Sequence, residues 1–325
     1  MKAAVIERQG DLEGLVYRDW PQPKPRAGEV LVRVRACGLN HLDIFVRRGM
    51  PDFPVPLPFI SGGDIAGEIV AVGANVSDEL IARRVLVDPS TPDGMLGEQL
   101  PGGMAEFVTA PASHTLPLPS NVSFRQAACL PVAYGTARRM LLSRGKLRAG
   151  ETVLILGASG GVGNACVQIA RDAGARVIAT ASDPAKLERL RKLGADDLIN
   201  YQVEDFSAAA WRLTGKRGVD MVVNFTGGDT WVPSLRSLRR GGRLVTCGAT
   251  AGFDPRTDIR YIWVRELNIL GSDGWTTDDL RELLRQVASG TLRPVISDVL
   301  PLSAAREAER LLEERRVFGK VILEP

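Results

Sequence analysis

Two stretches of the chain hold residue types that carry chemistry. The first is "RACGLNHLDIFVRRG", Arg35 to Gly49, with a cysteine, an asparagine, an aspartate and one of only two histidines in the protein. Those groups are open to three readings: part of a metal site, a cofactor contact, or a loop without chemistry. The second is "ETVLILGASGGVGNACVQIA", a buried strand that runs into Ala158-Ser159-Gly160-Gly161-Val162-Gly163 and then a helix. The backbone of such a turn can approach a pyrophosphate closely, and the helix start offers it free N–H groups. The pattern is A-x-G-x-x-G, with alanine where the first glycine usually stands. It lies between a strand and a helix and a second strand follows, as a dinucleotide loop requires. Ser159, Gly160, Gly161 and Val162 are therefore candidate cofactor contacts.

The second strand chooses between the two nicotinamide dinucleotides. An acidic side chain at its end would hold a ribose 2′-hydroxyl. "RVIATAS" instead places Ala181 there, with Ser182 next and Asp183 two residues late, in the turn. Ser182, Lys186 and Tyr201 offer a hydroxyl, an ammonium and a phenol to a 2′-phosphate. The expected cofactor is NADPH.

Two kinds of element must position these residues. Up to about residue 122 the chain is rich in Gly, Pro and short alternating runs such as "EVLVRVRACG", the texture of an irregular β-barrel. Near Ser123 it changes. Ser123 is a plausible helix N-cap for "FRQAACLPVAYGTARRMLL", and strands then alternate with helices, which implies a parallel sheet with helices on both faces. The expected domains are 1–122 with 275–325, and 123–274 as the dinucleotide-binding domain. The closing strand "FGKVIL" is expected to return to the first of these.

Composition narrows the partners. A hydrophobic fraction of 45% with 24% charged residues is that of a soluble globular protein, and a net charge of +3 gives no basic face for nucleic acid. The four cysteines lie far apart, with no C-x-x-C pair. The first residues do not read as a signal peptide, and no apolar run is long enough for a membrane span. A cytoplasmic location is expected, with neither membrane nor nucleic acid as partner.

The order and spacing of "EVLVRVRACGLNHLD", "ISGGDIAGEIVAVG", "GTA", "GASGGVG", "GVDMVVNFTG", "GGRLVTCGA", "NILGS" and "FGKVIL" resemble the medium-chain dehydrogenase/reductase superfamily over essentially the whole chain. The resemblance implies an α/β protein, a GroES-like β-barrel catalytic domain plus a Rossmann doubly wound parallel-sheet domain, with the active site in the cleft between them. Zinc-dependent members carry a cysteine ligand where this chain has Asn40, and a histidine ligand where it has Gly63. Cys129 lies near the third position, and the four-cysteine lobe is missing. No zinc is therefore expected, and the chain looks like the zinc-independent quinone oxidoreductase branch. In that branch an asparagine at the Asn40 position can donate to a substrate carbonyl. A tyrosine often found five residues later is Phe45 here, leaving Tyr134 and Tyr261 as possible proton donors. His41 is either a pyrophosphate contact or a surface residue. Thr136 is expected at the nicotinamide, Lys320 at the cofactor phosphates, and Asp43 and Asp64 in structural pairs with Arg47 or Arg48. Phe225, Thr226, Cys247, Gly248, Leu270, Gly271 and Ser272 end consecutive strands, where open α/β sheets bind ligands.

The function these features imply is NADPH-dependent reduction of a quinone or another α,β-unsaturated carbonyl compound. The rivals are a zinc-free alcohol or aldehyde dehydrogenase and a non-catalytic NADPH-binding protein. "LNILGS" is the expected sheet edge and pairing surface of a homodimer. Met50, Phe53, Tyr261 and Trp263 could line an apolar substrate pocket or pack in the core.

Overall fold

The alternation in "EVLVRVRACG" does make a strand, with Val30, Val32, Val34 and Ala36 buried while Arg33 and Arg35 face solvent. The structure is a computed structural model and describes residues 1–50 and 54–325; Phe53 lies outside them. The chain begins with β1 (Lys2–Ile6), β2 (Leu15–Asp19) and β3 (Glu29–Gly38), then α1 (His41–Arg48) and β4 (Asp64–Val72). Short strands follow: β5 (Arg84–Val87), β6 (Ser90–Thr91), β7 (Gly94–Met95), β8 (Phe107–Pro111) and β9 (Thr115–Pro117), then the short helix α2 (Phe124–Ala127). Ser123 is its N-cap and accepts from Gln126 N at 3.2 Å.

The helix expected to run on from α2 is interrupted only at Ala128–Cys129 and then continues to Arg144. Pro131 has no N–H to give, and wide turns cover Leu130–Gly135 and Arg139–Arg144 on either side of α3 (Thr136–Arg138). The alternating part then follows as β10 (Thr152–Ile155), α4 (Gly161–Asp172), β11 (Arg176–Ala181), α5 (Pro184–Leu193), β12 (Asp197–Asn200), α6 (Phe206–Leu213) and β13 (Val219–Val223). It continues with α7 (Trp231–Ser237), β14 (Leu238–Thr246), α8 (Arg260–Val264), β15 (Asn268–Gly271) and α9 (Thr277–Ser289). The chain closes with β16 (Ile296–Pro301), α10 (Ala305–Glu313) and β17 (Lys320–Glu324).

Two compact units result, residues 1–132 with 280–325, and residues 133–279. In the second, six parallel strands lie in the order β12-β11-β10-β13-β14-β15, the doubly wound arrangement. In the first, the order is β16-β17-β3-β4-β5-β9, with β8 also on β3, and its core holds Val32, Ile65, Ile69, Val321 and Leu323. The expected divisions after residues 122 and 274 fall after residues 132 and 279. The cause is that residues 123–132 lie against β3 and β4. A Cβ on Gly38 would fall 2.0 Å from Ala128 O, and Arg125 pairs with Glu324 of β17 at 2.6 Å.

Arg47 and Arg48 do not pair with Asp43 or Asp64. Arg47 is 1% exposed, and its guanidinium bonds Glu309 and Glu313 of α10 and the Gly10 carbonyl, while Arg48 takes Glu313. Burial pushes the Glu309 carboxyl up, against the pull of Arg47.

Candidate active site

Three strand ends meet at Asn40. Gly38 closes β3 and pairs with Asp64, which opens β4, and β17 runs antiparallel beside them with Ile322 opposite Gly38. This register brings together side chains far apart in sequence. Lys320, 2% exposed, donates to Leu39 O at 2.6 Å, Asn40 Oδ1 at 2.6 Å and Asp64 Oδ2 at 2.7 Å. Asn40 Nδ2 donates to Asp64 Oδ2 at 2.9 Å and makes a long contact of 3.4 Å with Gly38 O. Asp64 Oδ1 accepts from Val132 N at 2.7 Å.

Asp43 sits one turn into α1 and is 1% exposed. Its carboxylate accepts from Asn40 N at 2.7 Å and Gly62 N at 2.9 Å. Burial pushes its pKa up to about 7, against the Asn40 N–H and the Lys320 charge. His41 opens α1 and is exposed. A Cβ on Gly63 would fit tightly, meeting Leu96 O at 3.1 Å and the Met95 side-chain end, Cε, at 3.3 Å. The Cys129 thiol donates to Arg125 O at 3.2 Å, and burial pushes it up to about 12. A metal needs the thiolate. Among the described residues, no group of three or more His, Cys, Asp or Glu side chains is placed to hold a metal ion.

The second unit builds its site from backbone. β10 ends at Ile155 and the chain turns at Gly157, where φ is +56°. Gly163 must lack a side chain, because a Cβ there would stand 2.3 Å from Gly157 O and 2.5 Å from Ala158 Cα. Gly160 is the opposite case: its Cβ would meet nothing nearer than Gly157 O at 3.6 Å. No side chain caps α4, whose N-cap is Gly160, so its first N–H groups keep their capacity for an anion. Asn164, 0% exposed, holds the loop from below with bonds to Ala158 O at 2.9 Å and Gly160 O at 3.1 Å. These features fit a bound pyrophosphate between Ser159 and Val162.

At the end of β11, Asp183 is the N-cap of α5 and accepts from Lys186 N at 2.9 Å, so its carboxylate is spent on the helix. Ser182 is half-buried, and Tyr201, 39% exposed, places its N–H on Ala181 O at 3.3 Å. Ser182, Lys186 and Tyr201 thus share one corner of the sheet. Phe225 and Thr226, Cys247 and Gly248, and Leu270 to Ser272 lie at the carboxyl ends of β13, β14 and β15, neighbours in the sheet. The Ser272 hydroxyl is buried there without a hydrogen-bond partner, as at a site made for another molecule's polar group.

Sequence reasoning missed Asn224 and Asn164. Asn224 Oδ1 accepts from Thr226 N at 2.9 Å and Gly227 N at 3.0 Å, and Nδ2 donates to Thr230 and Ser234. It shapes the turn after β13, and an asparagine directly before a strand-end turn was the available signal.

Three expectations are corrected. Tyr134 is 0% exposed and its hydroxyl lies 3.4 Å from Gln168 Nε2 of α4, turned into its own unit rather than toward a substrate. Tyr261 packs against its unit's core and its hydroxyl accepts from Arg236 at 3.1 Å. Lys320 does not reach for phosphates, because all three ammonium protons are spent inside its own unit. Thr136 is 8% exposed. Met50 packs against the first unit's core, whereas Trp263 is 66% exposed.

An uncapped glycine loop on a doubly wound sheet, joined in one chain to a mostly antiparallel unit, defines a nicotinamide-dependent oxidoreductase. Residues 26–120 match the alcohol dehydrogenase GroES-like domain and residues 161–289 the zinc-binding dehydrogenase family. The chain is 32% identical to the quinone oxidoreductase of Rattus norvegicus over 308 residues, covering 93% of this chain and 90% of that one. It is similar to a crystal structure of an NAD-dependent alcohol dehydrogenase, at 39% identity and TM-score 0.95 with both chains fully covered. It is also similar to mycobacterial Rv1454c complexed with NADPH, at 30% identity and TM-score 0.87, over 100% of each chain. The protein belongs to the medium-chain dehydrogenase/reductase superfamily.

Proposed function

We propose that the protein is an NADPH-dependent reductase of quinones or other α,β-unsaturated carbonyl compounds, working without zinc. The observation that carries this is the Asn40 corner: a carboxamide and Gly63 stand where zinc-dependent members of the superfamily carry ligands, and the Lys320 ammonium is bonded to that carboxamide. Neither Asn40 nor Gly63 offers a zinc ligand there. The quinone oxidoreductase relative supports the substrate class.

Ser159 to Val162 would hold the cofactor's pyrophosphate, and Ser182, Lys186 and Tyr201 its 2′-phosphate. A nicotinamide, when bound, supplies the hydride. Asn40 then acts on the substrate oxygen. One Nδ2 proton is fixed on Asp64, while the other makes only the 3.4 Å contact with Gly38 O and is the one left to donate to a carbonyl that gains negative charge. With Tyr134 turned inward, water supplies the proton.

NADPH oxidation against a panel of quinones, enones and enoyl thioesters tests the reading. Turnover of at least one is expected, and turnover of none would overturn it. The NAD-dependent alcohol dehydrogenase similarity favours a second reading, oxidation of an alcohol with NAD, which the same assay run in reverse separates. β15 lies at the edge of its sheet with Asn268 and Gly271 exposed, and Ile259, Trp263 and Val264 just before it are exposed apolar residues. A second copy pairing there supports a homodimer, to be checked by light scattering. We assign the protein to the cytoplasm; among the described residues no helix is long and apolar enough to cross a membrane.

A further inference from the structure

We propose that Lys320 is the positioning residue of this site: a fixed ammonium among the lost ligand positions that orients and polarises the Asn40 carboxamide. The inference rests on the reading of Asn40 as the carbonyl's hydrogen-bond donor and says what makes it one.

The argument starts from proton counting. An ammonium has three donors and no acceptor. All three reach acceptors at 2.6 to 2.7 Å, so Lys320 has none left for a substrate or a phosphate. Its action must pass through what it touches. A carboxamide has two ends of nearly equal shape, and only its partners decide which end points where. Here a cation holds Oδ1 and an anion, Asp64, holds one N–H, so the orientation is fixed at both ends. A cation on the oxygen also draws electron density away from nitrogen and strengthens the remaining N–H as a donor. That N–H is the one with the long contact to Gly38 O.

The placement is central to the corner. The Lys320 charge is felt by Cys37, His41, Asp43 and Cys129, the residues around Asn40 and Gly63. It is the sign of charge that a metal would bring, carried by a side chain that cannot dissociate. Asp64 stands against it at 0% exposure, so the pair brings no net charge into the interior.

Lys320→Met keeps the length and apolar stem and removes the charge. The expected result is a fall in kcat of about 30-fold with the NADPH Kd unchanged within about twofold. In an Asn40→Ala background the same substitution should lower kcat no further, because its effect runs through the carboxamide. A tenfold weaker NADPH Kd at unchanged kcat would place the ammonium on phosphate and overturn the proposal. Equal losses in both backgrounds would overturn it too. A second measurement does not depend on turnover or on the variant's folding. In the unsubstituted protein labelled with 15N-lysine, one slowly exchanging ammonium signal is expected at neutral pH. Failure to detect a protected ammonium overturns the inference even if the enzyme is active. Absence of turnover with the ammonium detected overturns the proposed function and leaves this geometry standing.

Discussion

Two regions, one in each unit, are built on opposite plans. The glycine loop is made of neighbours in sequence, works through backbone groups, and is left open at Gly160 and at the uncapped start of α4. The Asn40 corner is made of side chains 24 to 280 residues apart, works through charges, and is closed upon itself. An open backbone site is made to receive charge from outside. A closed charged site must supply its own balance, because a buried ion without a partner is costly. The first should therefore be sensitive to added bulk and the second to removed charge.

The largest expected effect is in the closed corner. Asp64→Ala leaves the Lys320 ammonium buried and unpaired and should cost about 3–5 kcal/mol of stability in urea unfolding. A loss below about 1 kcal/mol would mean that water already reaches the pair. Next comes the pH dependence of Asp43. Its folded pKa of about 7 lies above the ordinary value of 3.8. The folded state thus binds more protons between those values, and stability is fully present below about pH 4 and lost as pH rises through 7. The expected slope is roughly 1.4 kcal/mol per pH unit across that window, flat above it, with buried Glu309 adding the same sign. Unfolding free energies at pH 5, 6, 7 and 8 test this, and Asp43→Asn should flatten the slope.

In the open loop, Gly163→Ala drives a Cβ into Gly157 O and should weaken NADPH binding about 30-fold, read by fluorescence titration. Lys186→Ala should raise the KM for NADPH about fivefold and leave that for NADH alone; equal effects on both would remove Lys186 from the 2′-phosphate. The smallest effect belongs to neither region. Removing the exposed Arg260–Asp258 pair should change neither thermal unfolding nor turnover measurably.

The same contrast explains what could be read in advance. Strand and helix alternation and the glycine loop depend on local periodicity and turn chemistry, and "ETVLILGASGGVG" shows a strand, the loop and a helix start in one line. Ala181 at the strand end and Asp183 in the turn after it were legible for the same reason. The Lys320 partners were not, since nothing near "FGKVIL" points to residues 256 and 280 positions earlier. The Tyr134 surroundings were not legible either, since its hydroxyl meets Gln168 of α4, 34 residues on. The first domain boundary slipped because Gly38, having no side chain, lets the Ala128 carbonyl lie over it, a contact that exists only after folding.

The ammonium on Asn40 also sets a clock. A ribosome adds about 5–20 residues per second, so the 280 residues between Asn40 and Lys320 take roughly 15 to 55 s to make. Throughout that interval Asp64 has its carboxylate but no cation, and Asn40 has no fixed orientation. The nascent chain can form its glycine loop and hold a dinucleotide well before it has a finished hydrogen-bond donor for a substrate. Cofactor capture can thus precede catalytic competence in the life of each molecule.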